Sequence, residues 1–162
     1  MLDVDNMGDN MALNLYREVS TGTYLLYQES GGSSEVLPII TTHDGVLGEV
    51  VELRIFVRND DITEYYENIQ VTPVCNSLPD ETIGTANGHG VKLFAGNTQP
   101  TEAQWEAIDY GAAIDLDDLG SSGLGDTYSY LPFWYRAEVP AGTLANNKEN
   151  IVLRLSYVAN AI

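Results

Sequence analysis

Apolar and polar residues alternate along much of this chain with a period of two. Phe133, Tyr135, Ala137 and Val139 fall on one face of a segment whose other face carries Trp134, Arg136 and Glu138. Val51, Leu53, Ile55 and Val57 likewise oppose Glu52, Arg54, Phe56 and Arg58. Near the end of the chain, Ile151, Leu153, Leu155 and Tyr157 oppose Arg154 and Ser156. That period marks strands with one face on a core and the other on solvent or a partner. Strands are expected over residues 12–17, 23–28, 36–40, 49–58, 68–74, 90–95, 132–139 and 151–158. Turn residues separate them: Ser20-Thr21-Gly22, Gly31-Gly32-Ser33-Ser34, Asp44-Gly45, Asn59-Asp60-Asp61 and Asn87-Gly88. The pattern predicts an all-β fold, a single antiparallel β-sandwich of Ig-like or jelly-roll type with about eight strands.

One short helix is expected from Thr101 to about Ile108. Thr101 and Gln104 form a capping box, in which each end of the first turn satisfies an orphan amide of the other. Trp105 and Ile108, three apart, would dock the helix on the sandwich. Residues 1–10 are polar, acidic and without periodicity, and they read as an N-terminal arm preceding a β-sandwich domain at 11–162. The longest irregular stretch is 109–131, rich in glycine and serine and anchored by Tyr128, Tyr130 and Leu131. Connections of that length in a compact domain are functional or disordered. There is no internal repeat.

Charge narrows the partners. Seven basic residues face 24 acidic ones, a formal net charge of -17. Such a chain is repelled by nucleic acid and by anionic lipid, so neither is an expected partner. The single cysteine, Cys75, cannot form a disulfide within the chain. The segment Met1-Leu2-Asp3-Val4-Asp5-Asn6 is acidic where a secretory signal would be basic, which points to synthesis in the cytoplasm. A particle assembled in the cytoplasm and released by lysis meets the same constraints.

Three segments carry a resemblance. Val51-Glu52-Leu53-Arg54-Ile55-Phe56-Val57-Arg58-Asn59-Asp60-Asp61, Gly90-Val91-Lys92-Leu93, and Phe133-Trp134-Tyr135-Arg136 through Gly142-Thr143 resemble small structural proteins of tailed bacteriophages. In those proteins a strand ending in Arg-Asn-Asp-Asp precedes a Trp-Tyr-Arg strand and a Pro-Ala-Gly-Thr loop. The resemblance spans about residues 39–157 and involves structural motifs only. It implies a virion component, synthesised in the cytoplasm of the bacterial host, whose partners are other virion proteins.

Candidate chemistry is sparse. The run Asp115-Leu116-Asp117-Asp118-Leu119-Gly120, with Asp126 beyond it, approaches a calcium loop. Counted from Asp115, acids stand at positions 1, 3 and 12 and glycine at 6, but position 5 is Leu119 and position 12 is Asp. An EF-hand is excluded. A looser calcium site from Asp115, Asp117 and Asp126 is the weak alternative to a solvated acidic loop, and no cofactor is expected otherwise. His43 and His89 lack a third metal ligand, and no nucleophile elbow, P-loop or zinc-helix motif occurs. With 24 acids, some carboxylate pair is always at hand, so such pairs do not indicate an enzyme.

The arginines are more telling. Arg54, Arg58, Arg136 and Arg154 are four of only seven basic residues, and alternation points each away from the main apolar set. If their strands are neighbours, a basic strip crosses one sheet, with Phe56 and Trp134 as apolar anchors for docking on an acidic partner. The competing reading is cross-strand pairing with Glu52 and Glu138, worth little at a surface. The expected function is a non-enzymatic phage structural protein, a capsid decoration protein on the outer head surface before a tail or baseplate component. A homo-oligomer is compatible with that role. The alternative class is a carbohydrate- or receptor-binding module using the 109–131 loop, where tyrosines suit such contacts.

Overall fold

The computed structural model describes residues 13–28, 35–36, 43–60, 63–75, 83–84, 89–119, 130–143 and 151–161. Among these residues the strands are β1 (Leu13–Ser20), β2 (Thr23–Gln28), β3 (Glu35–Val36), β4 (Glu49–Asn59), β5 (Glu64–Cys75), β6 (Gly90–Ala95), β7 (Ile114–Asp115), β8 (Tyr130–Val139) and β9 (Ile151–Ala161), with one helix, α1 (Glu102–Glu106), before β7. All pairings are antiparallel. The strands form a five-stranded sheet in the order β2-β1-β4-β8-β6 and a four-stranded sheet in the order β3-β9-β5-β7. The expected all-β sandwich is the fold observed. The arm at 1–10 lies outside the described residues.

The period of two explains the core. Leu13, Leu15, Ile55, Val57, Val91, Leu93, Phe133, Tyr135 and Ala137 from the first sheet meet Tyr66, Ile69, Val71, Leu153 and Leu155 from the second in one buried cluster. Burying such side chains is the main force holding two sheets face to face. The capping box forms as expected: Gln104 N–H donates to Thr101 Oγ1, and Thr101 N–H donates to Gln104 Oε1. The helix ends at Glu106, shorter than its pattern predicts, with Ala107 as C-cap and Trp105 buried beneath it.

Two elements depart from the expected pattern. β5 begins at Glu64 rather than near Asn68, and Asn68 sits within it at φ 54°, where the β5–β9 register slips. Asparagine tolerates that backbone conformation, and Asn68 N–H donates to Asp118 Oδ1 at 3.0 Å, so the bulge is held from outside the sheet. The segment expected to be irregular contributes β7, paired with Gln70 and Val71, and Leu119 then exchanges backbone hydrogen bonds with Tyr66. Two residues are too few to show a period.

Candidate partner-binding surface

Sheet register brings most of the singled-out residues together on the outer face of the five-stranded sheet. Arg54, Phe56 and Arg58 on β4 stand opposite Trp134, Pro132 and Tyr130 on β8, and Glu52 stands opposite Arg136. Arg154 does not join them. It lies exposed on β9, in the other sheet, so the expected strip of four arginines is a strip of three.

That face has two halves. Over β8 and β6 it is roofed by α1 and the chain on either side of it. Arg136 is only 5% exposed there, a correction to the reading that alternation turns it toward a partner. Its guanidinium makes a bidentate pair with Glu102 at 2.7 Å, meets Glu138 at 2.7 Å and Glu52 at 3.3 Å, and lies 5.6 Å from the Trp105 ring centroid. The competing cross-strand pairing with Glu52 and Glu138 is therefore present, with Glu102 added from the helix. The Glu102 hydrogen bonds are the leading reason that the Arg136 pKa lies above its ordinary value. The same hydrogen bonds, foremost, hold the Glu102 carboxyl below its ordinary value.

Lys92, also buried, donates to the Trp105 carbonyl at 2.9 Å and sits 4.5 Å from the Tyr110 ring. Tyr110 hydroxyl in turn donates to Glu138. Two buried cations with this many oxygen partners and aromatic faces are stabilising only because their partners come with them.

Over β4, β1 and β2 the face is covered by rings instead. Tyr24 stacks on Tyr130 at 3.9 Å and meets Phe56 edge-on at 4.9 Å, while Tyr16 and Phe56 each meet Tyr130 edge-on. Phe56 is consequently 3% exposed, a second correction, since an anchor for docking must reach solvent. The Arg58 guanidinium lies 3.9 Å from the Tyr16 ring centroid, donates to Tyr130 hydroxyl at 3.0 Å and to Tyr16 hydroxyl, and pairs with Asp60. Asp60 also accepts from Tyr16 hydroxyl and Asn14, both at 2.7 Å. Burial, then Asp60, push the Tyr16 phenol above its ordinary pKa. Burial opposes the Arg58 charge, but the hydrogen bonds to Asp60 and Tyr130 outweigh it and hold its pKa above the ordinary value.

Between the halves, Arg54 and Trp134 remain accessible. Arg54 is one-third exposed, pairs with Glu18 at 3.2 Å and lies 4.8 Å from the Phe56 ring centroid. Trp134 is half-buried, and its indole N–H donates to the Asn97 carbonyl at 3.3 Å. Sequence reasoning missed Lys92, Glu102, Tyr16 and Asp60 as members of these clusters. The acid in the first turn of a tryptophan-bearing helix was the readable sign that α1 covers a cation.

Asp115 and Asp117 are exposed, Asp115 accepts from Gln70 Nε2 at 2.9 Å, and Asp126 lies outside the described residues. His43 and His89 meet edge-on at 5.7 Å. Among the described residues no group of three or more His, Cys, Asp or Glu side chains is placed to hold a metal ion. Among them, too, no helix is long and apolar enough to cross a membrane. Comparison with protein-family models, with curated proteins and with solved structures finds no match to this chain.

Proposed function

We propose that this chain is a non-enzymatic structural protein of a phage particle, a capsid decoration protein that docks on the outer head surface. One observation carries the reading beyond the motifs themselves. The three resembling segments, far apart in sequence, fold as the adjacent strands β4, β8 and β6. Arg136, Glu52, Glu138 and Lys92 are engaged within that unit and its helical cover, so attachment works through the side chains it leaves accessible and through what surrounds it. Attachment energy would come from edge-strand pairing, from the arm at 1–10, and from the accessible Arg54 and Trp134, which are of the residue types that dominate interface energetics. Display on a symmetric lattice would strengthen a modest single-site affinity. A tail or baseplate position uses the same surfaces.

A carbohydrate- or receptor-recognition module is the second reading, favoured by the half-buried Tyr24–Tyr130 stack where the 109–131 segment enters β8. Quantitative mass spectrometry of purified particles of the source phage separates the two. Copies approaching the number of major capsid protein support decoration, and copies near the portal number support the tail or baseplate. Absence from the particle overturns the virion reading and leaves the recognition module in front.

A further inference from the structure

At one end of the sandwich, the turn leading into β4 packs against the loop leaving β8. Val46 and Leu47 at its tip are 80% and 77% exposed, and the neighbouring Val50 is 48% exposed. The backbone beneath them is tightly fixed. Asp44 Oδ1 accepts from Val46 N–H at 2.9 Å and Leu47 N–H at 3.1 Å, and Asp44 N–H donates to Glu49 Oε2 at 2.8 Å. Gly142 N–H closes on the Val46 carbonyl at 3.3 Å. Gly48 has φ +78°, and a Cβ there would stand 2.7 Å from Ala141 N; a Cβ on Gly45 would stand 2.4 Å from the Thr143 carbonyl oxygen. Both obstacles are backbone, so only glycine lets the two loops lie this close.

These contacts hold two large apolar side chains in water at a fixed position, where they add nothing to the core. A contiguous exposed apolar group on a rigid support is the form of an interaction site, and a preorganised one loses little entropy on binding. Charge selects the occupant. Asp44 and Glu49 flank the tip, and residues 43–50 and 138–143 contain no lysine or arginine. A second copy would set the same acids face to face, at a net charge of -17 per chain. A socket rimmed by cations would turn that repulsion into attraction and speed the encounter.

We infer that Val46, Leu47 and Val50 form the apolar centre of a docking surface for a protein partner that offers an apolar socket rimmed by lysine or arginine. This deepens the docking role proposed above and rests on it. The test uses the isotopically labelled full chain, with a synthetic amphipathic peptide of alternating leucine and lysine as probe. A lysine-only peptide of equal charge and phosphatidylcholine vesicles are the comparators. The leucine–lysine peptide should shift the amides of 43–50 and 140–143. The double variant V46S/L47S should bind it about tenfold or more weakly, with the rest of its spectrum superimposable on the parent.

Equal binding by the variant, or shifts spread over the acidic surface alike with both peptides, overturns the proposal. So does preferential binding to the vesicles, or a dimer in sedimentation equilibrium that V46S/L47S dissolves, because each names a different occupant. Particle composition does not enter this measurement, so the tip and the virion reading can fail separately.

Discussion

Arg136 and Arg58 share one sheet face, yet the chain satisfies them by opposite means. Arg136 lies under a helix and is neutralised by carboxylates from β4, β8 and α1. Arg58 lies among aromatic rings and pairs with Asp60, itself shared with Tyr16 and Asn14. The difference teaches how a polar sheet face becomes a second, small core. Where the cover brings acids, the cation is locked by charge; where it brings rings, the cation is held by π faces and hydroxyls.

The comparison breaks most sharply at Arg136. Arg136→Ala leaves Glu52, Glu102 and Glu138 without their shared cation, and should destabilise the fold by about 3–5 kcal/mol, read as a lowered urea midpoint. Arg136→Lys should recover only part of that, because a point charge cannot reproduce the bidentate pair with Glu102. Arg58→Ala should cost less, about 2 kcal/mol, since the Tyr24, Phe56 and Tyr130 rings stay packed without it. If the two alanine variants are equally unstable, the charge-locked half is not the stronger one.

The halves should also respond to opposite ends of the pH scale. The Glu102 carboxyl is held below its ordinary 4.5 when folded, so the unfolded chain takes up that proton first as pH falls. Its contribution is present above about 4.5 and is lost as pH drops through the folded value. Glu102→Gln should therefore be less stable than the parent near neutrality and converge with it in acid. The Tyr16 phenol is held above its ordinary 10.0, so the unfolded chain ionises first in alkali. Its contribution is intact below about pH 10 and is lost as pH rises from there. Tyr16→Phe should remove that alkaline slope while leaving the acid side unchanged. Urea midpoints across pH for the two variants and the parent would check both signs, and a shared pH response would erase the distinction between the halves.

Alternation makes faces legible and says little about cover. Phe133, Tyr135 and Ala137 are readable as core because a period of two puts them there, and they are buried. The same period assigns Arg136 to the opposite face correctly. Its burial depends on Glu102, which is 34 residues away, and on Glu52, which is 84 away, and no local pattern couples such distances. Phe56 is hidden for the same kind of reason, by Tyr24 from β2 and Tyr130 from β8. Arg154 was misplaced because strand order across two sheets is not written in any one strand. The Asp44-Gly45 turn was readable from two residues. What it presents was not, because the exposure of Val46 and Leu47 follows from the partner loop at 140–143 fixing the backbone beneath them.

The smallest expected effect on stability is at that tip, and it is the most discriminating against the rest of the chain. On the outer sheet face, charged side chains are buried and hold the fold; at the tip, apolar side chains are exposed and hold nothing. V46S/L47S should therefore shift the urea midpoint by no more than corresponds to about 0.5 kcal/mol, although it removes two of the larger apolar side chains at this end of the sandwich. Asp44→Ala, which deletes the acceptor for the Val46 and Leu47 amides, should cost about 1 kcal/mol and raise amide exchange at 45–47. A tip that is stable only with its apolar side chains would be a piece of core covered by another part of this chain. A tip that needs Asp44 but not Val46 or Leu47 is a support whose cargo faces outward.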